Sequence, residues 1–199
     1  MRTLLAKTGA RFAFPIFCLA FAANAQAPST PAQTAPVGPA GIAVGHPTYV
    51  SIPMEITINR PAAEVWKRVG KYCDIGEWLQ VPCTITSGKD GEVGAVRTVG
   101  NEVLVGKTEL SYTYTQPARE GRPYNLYHGT LEARPVTATT SKLIYTLVFD
   151  NSMLADDAAR EKDKAQRTAR FMQALQNMKV LAEGGTLPPP AARGGAPKQ

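Results

Sequence analysis

Histidine and cysteine are scarce in this chain, with two His and three Cys among 199 residues. His46 and His128 lie far apart and neither has a metal-ligand spacing, so no zinc centre is expected. Charge is thin too, at 19% of residues, and Lys and Arg form no cluster within the expected fold. That excludes the basic face on which nucleic-acid binding depends. No Gly-x-Ser-x-Gly elbow, no phosphate loop and no internal repeat occurs. There is one long apolar run, so a polytopic membrane protein is excluded. What the chain does have is 44% apolar residues, enough to build a buried core and to exclude global disorder.

The two ends differ from the middle. Arg2, Lys7 and Arg11 form a positive leader without an acid, and Phe12 to Ala23 is apolar apart from Pro15. Ala23-Asn24-Ala25 then offers small residues to a signal peptidase, which predicts a signal peptide over 1–25. The apolar run of about 12 residues is shorter than the roughly 20 that a bilayer span needs. The expected product is therefore periplasmic or secreted, with no stable membrane span after cleavage. Losing the leader takes the net charge from +6 to near +3, and discounting Arg193 and Lys198 in the tail leaves the folded part close to +1. Residues 26–48 are rich in Pro and Ala, carry no charge and show no periodicity, so they are expected to be a disordered linker. Residues 184–199 read as a disordered tail of the same kind, which leaves one folded unit over 49–183. After export, Cys73 and Cys83 remain. In an oxidising compartment an even pair reads as a disulfide; the alternative is two small buried hydrophobes that never meet.

Inside 49–183 the pattern opens with alternation. Met54, Ile56 and Ile58 point one way and Glu55, Thr57 and Asn59 the other, as in a strand. Pro61 suits a first helical position, and Ala62 to Val69 continues as a helix. A second short helix is predicted over Asp74–Leu79. Strands follow over Val81–Ser87, Val93–Val99, Glu102–Val105, Glu109–Thr115, Tyr124–Arg134 and Lys142–Phe149, most of them joined by tight turns such as Gly100-Asn101, hence antiparallel. Ala155 to Glu183 has no Gly or Pro and predicts a long helix of roughly 43 Å. Its first half is charged, and its second half carries an apolar stripe of Phe171, Ala174, Leu175, Met178 and Leu181. The expected class is α+β: a seven-stranded antiparallel sheet curved around a long C-terminal helix, with two short helices after the first strand.

Four phrases stand out: Ile58-Asn59-Arg60-Pro61-Ala62-Ala63-Glu64-Val65-Trp66, Gly76-Glu77-Trp78-Leu79, Val93-Gly94-Ala95-Val96-Arg97-Thr98 and Tyr127-His128-Gly129-Thr130-Leu131-Glu132. With the order of elements, they resemble the START/Bet v 1-like (SRPBCC) superfamily, in particular its bacterial polyketide cyclase/dehydrase and lipid-transport proteins. The resemblance implies a helix-grip fold whose cavity, between sheet and C-terminal helix, holds an apolar or amphipathic molecule. It implies no shared catalytic motif and no cofactor. The ligand-binding candidates on the inward strand positions are Tyr112, Tyr114, Tyr127, Leu131, Tyr145 and Leu147, beside Met54 and Ile56. From the helices they are Trp78, Phe171, Met172 and Leu175. Aromatic rings with a polar tip suit an amphipathic ligand; the same stripes also make plain core. Arg97, between Val96 and Thr98, is expected to point away from the pocket, and His128 to face outward opposite Tyr127. The expected function is an exported small-molecule-binding protein with a lipid-like ligand. The alternatives are a periplasmic accessory protein that docks on a redox enzyme, as in methanol oxidation, and a cyclase or hydrolase.

Overall fold

A computed structural model describes residues 46–119 and 121–189. The predicted leader, most of the predicted linker and most of the predicted tail lie outside these residues. The elements run β1 (Tyr49–Ile58), α1 (Ala62–Val69), α2 (Ile75–Trp78), β2 (Ile85–Ser87), β3 (Val96–Arg97), β4 (Glu102–Lys107), β5 (Ser111–Thr115), β6 (Asn125–Pro135), β7 (Ser141–Asp150) and α3 (Asp157–Ala182). All seven strands form one antiparallel sheet in the order β1-β7-β6-β5-β4-β3-β2. The first strand therefore lies beside the last, and β7 is paired on both sides.

The pleat sorts the side chains. Ile52, Met54 and Ile58 of β1, Tyr112 and Tyr114 of β5, Tyr127 and Leu131 of β6, and Leu143, Tyr145, Leu147 and Phe149 of β7 are all buried. The α3 stripe of Phe171, Ala174, Leu175, Met178 and Leu181 is buried with them. Asp156 caps α3 by accepting from the Ala159 N–H at 2.8 Å. Its C-terminal end is fixed by polar contacts: Lys179 Nζ donates to the Thr57 carbonyl at 2.7 Å, Asn177 Nδ2 to the Trp78 carbonyl at 2.9 Å, and the Asn59 N–H to Glu183 Oε1 at 2.9 Å.

Three predicted strands shrink: Glu109–Thr115 loses two residues to become Ser111–Thr115, and two others shorten further. Val93–Val99 becomes Val96–Arg97, because Gly94 takes a φ of +93° and the Ala95 N–H turns back to the Glu92 carbonyl. Val81–Ser87 becomes Ile85–Ser87. Cys73 and Cys83 are bonded, with their Cα atoms 5.6 Å apart, so the start of that segment is tied to the α1–α2 join rather than to the ladder. The loop they close contains α2. No helix of the described residues is long and apolar enough to cross a membrane.

Candidate functional site

The hairpin between β3 and β4 places Arg97 directly opposite Glu102. Both side chains turn inward, and both are buried, Arg97 completely. Arg97 Nε donates to Glu102 Oε2 at 2.7 Å, and its Nη1 donates to the Tyr72 carbonyl. Nη2 lies within ion-pair reach of the same Oε2 but makes no well-directed hydrogen bond, so Nε carries the bond. The guanidinium stacks 4.2 Å from the Tyr72 ring centre and 4.7 Å from that of Tyr114. The outward orientation expected for Arg97 is thus corrected. Four residues (98–101) bridge the pair instead of the two expected, and that register sets a carboxylate across from the guanidinium, which makes its burial tolerable.

From this pair a polar relay runs outward. Gln116 Nε2 donates to Glu102 Oε1 at 2.8 Å, and the Tyr124 hydroxyl donates to Gln116 Oε1 at 2.7 Å. Burial disfavours the Arg97 charge, yet Tyr112, the Glu102 carboxylate and Tyr114 outweigh it and hold the group above its ordinary pKa. Burial pushes the Glu102 carboxyl up, with Arg97 and Gln116 opposing it only in part.

Beside the relay, tyrosines crowd the core. The Tyr114 and Tyr145 hydroxyls share a hydrogen bond at 2.8 Å, and Tyr145 packs 4.8 Å from Phe171. Tyr114 fits only because position 129 is glycine: a Cβ there would lie 2.4 Å from the Tyr114 ring. Burial raises the pKa of Tyr72, Tyr112, Tyr114, Tyr127 and Tyr145 alike.

A space of about 130 Å³ remains between the sheet and α3. Ile75, Leu79 and Val99 line it together with the rings of Tyr114, Tyr124, Tyr127 and Phe171. Glu102 and Gln116 form its polar side, and Arg167 and Arg170 reach it from α3. Arg167 is held by Asp163 at 2.8 Å and lies 4.5 Å over both Tyr124 and Phe149. The charged half of α3 thus turns Asp163 and Arg167 toward the sheet; their side chains are 17% and 16% exposed.

Of the residues singled out by sequence, Tyr114, Tyr127 and Phe171 line this space. Trp78, Leu131, Tyr145, Leu147 and Leu175 are fully buried and pack the surrounding core, with Met54 beside them. Met172 and Ile56 are partly buried against that core. Tyr112 lines a separate cleft, on the far side of Arg97. His128 is exposed, as expected, with its Nδ1 against the Leu126 carbonyl at 2.9 Å. Sequence reasoning missed Glu102, Gln116, Tyr124, Arg167 and Arg170. The one signal available for Glu102 was its closeness to Arg97 across a turn.

A family model described as polyketide cyclase/dehydrase and lipid transport matches residues 49–183. The chain belongs to that family. A search of curated proteins gave no match. Among solved structures, a Thermobifida fusca protein determined by solution NMR is 23% identical, with a TM-score of 0.57 over 69% of this chain and 97% of its own. The Zhui aromatase/cyclase from Streptomyces sp. R1128 is 16% identical, with a TM-score of 0.52 over 70% of this chain and 100% of its own. The di-domain ARO/CYC BexL from the BE-7585A biosynthetic pathway is 16% identical, with a TM-score of 0.51 over 67% of this chain and 46% of its own. Likeness at these identities establishes the fold, Bet v 1-like, and nothing beyond it.

Proposed function

We propose that this family member is an exported protein that holds the apolar end of an amphipathic small molecule between α3 and the sheet. The observation that carries the reading is the 130 Å³ space itself, lined in about equal parts by apolar and polar surface, with Glu102 and Gln116 on one side and Arg167 and Arg170 on α3. An apolar cavity of about 150 Å³ is large enough for benzene, so the space suits one ring or a short branched chain. A larger ligand leaves its remainder along the mouth, where Arg170 is exposed and makes no ion pair among the described residues. The 1–25 leader supports export to the periplasm or beyond.

Titration with single-ring carboxylates, followed through the backbone amides of Val99 and Gln116, tests this. We expect saturable shifts at both and at least tenfold weaker binding in Leu79→Trp, which fills the space. Absence of saturable binding across ring carboxylates, fatty acids and sterols overturns the reading. Glu102 also favours a second reading, a cyclase-type enzyme: it is an ionisable group with a raised pKa on the wall of the space, the arrangement that acid/base chemistry uses. Turnover lost in Glu102→Gln with ligand binding retained would select the enzyme.

A further inference from the structure

On the other side of Arg97 lies a cleft of about 660 Å³, between the end of α1, the β2–β3 loop and the β4–β5 turn. It shares no lining residue with the space under α3. Its size falls within the roughly 300–1,000 Å³ usual for small-molecule sites. We propose that this cleft is a second, independent binding site, and that it takes an aromatic molecule bearing an oxyanion.

The floor favours the ring. Trp66, Tyr72, Leu104 and Tyr112 line it, with the Tyr112 ring centre 5.6 Å from Trp66 and 5.5 Å from Tyr72. Gly70 keeps the Trp66 face in place, since a Cβ there would lie 2.3 Å from the indole. At Gly91 a Cβ would meet nothing within 4 Å, so the cleft stays open on that side.

The polar groups favour the oxyanion. The Tyr72 and Tyr112 hydroxyls are buried and have no hydrogen-bond partner among the described residues. Neither hydroxyl is open to the cleft, so the attraction for an anion comes from the rim. Three ammonium groups stand on the rim. Lys107 Nζ is fixed by the Gly91 carbonyl at 2.7 Å, while Lys67 and Lys71 are exposed and make no ion pair among the described residues. Asp90 and Glu109 share that rim, so three cations face two carboxylates. All five are exposed, so the rim keeps a net charge of one positive.

The test uses 1-anilinonaphthalene-8-sulfonate as probe and neutral N-phenylnaphthylamine as its uncharged counterpart. The anion should bind saturably and shift the backbone amides of Gly70 and Gly91, leaving those of Val99 and Gln116 in place. In the double variant Lys67→Gln/Lys71→Gln its affinity should fall about fivefold to tenfold, each exposed charge contributing modestly, with the neutral probe changed less than about twofold. Both lysines are exposed, so an unchanged thermal midpoint confirms that the fold persists. The proposal is overturned if the anion shifts Val99 and Gln116 instead, if the double variant binds both probes as the parent does, or if neither probe saturates.

Discussion

Replacing Arg97 by methionine isolates the energetics of the inner wall. The guanidinium is fully buried, bonded to Glu102 at 2.7 Å and to the Tyr72 carbonyl, and stacked on two tyrosine rings. Methionine fills much of the volume but leaves Glu102 buried with Gln116 as its remaining donor. Breaking a buried pair from one side costs about 3–5 kcal/mol, and the retained Gln116 bond places this case toward the lower end. That is a large share of the roughly 5–15 kcal/mol of a typical domain. The pH dependence has a definite sign. Burial already raises the Glu102 pKa against the pull of Arg97. Without Arg97 it climbs further, so the folded state holds that proton more tightly than the unfolded one. The associated stability is full below the ordinary carboxylate pKa and drains away as pH rises through the raised value. Urea unfolding followed by tryptophan fluorescence should therefore show Arg97→Met losing more at pH 7 than at pH 4.5. Arg97→Met/Glu102→Leu should recover most of the loss at both. Equal losses at the two pH values, or a double variant as damaged as the single, would refute the reasoning.

Other outcomes follow from the same geometry. Reducing the Cys73–Cys83 bond releases a short loop and should lower stability by roughly 2–3 kcal/mol in the chain-entropy model, read as a lower urea midpoint in the Cys73→Ser/Cys83→Ser variant. Gly129→Ala forces the Tyr114 ring away from its partner Tyr145, an overpacking cost of about 1–3 kcal/mol; an unchanged midpoint would mean that Tyr114 does not rest on position 129. Five buried phenols hold their protons more tightly folded than unfolded. Their stabilisation is complete below the ordinary tyrosine pKa and is lost as pH rises past it, so tyrosinate absorbance should appear together with loss of the fold, not before it.

Much of this was legible in the chain. The order of elements, the inward set of Tyr112, Tyr114, Tyr127 and Tyr145, and the α3 stripe all follow from periods of two and of 3.6, which local sequence reports directly. The inward turn of Arg97 was not legible, because a cation beside Val96 reads as solvated; the shift from a two-residue to a four-residue turn keeps its face and only exchanges Leu104 for Glu102 as its cross-strand partner. Arg167 was hidden for a different reason. Its position in a run of charged residues reads as solvated, and only the tertiary placement of α3 over Tyr124 and Phe149 gives the cation aromatic faces to cover. The amount of open space was the least legible property. The same aromatic stripes describe a filled core and a cavity wall, and the difference between them is a matter of side-chain packing across β5, β6 and α3.

Stability alone does not account for the Arg97–Glu102 pair, since apolar residues of similar volume serve a core as well or better. What the pair supplies is a polar partition. Arg97 is shared between β4, through Glu102, and the α1–α2 join, through the Tyr72 carbonyl. Tyr72 and Tyr112 carry one face of that partition to the larger cleft, and Glu102 and Tyr114 carry the other to the space under α3. The disulfide at Cys73 anchors the chain next to Tyr72, so the carbonyl that receives Arg97 is held from its other side as well. A directional ion pair fixes one geometry, and with it two separate volumes lined by different residues.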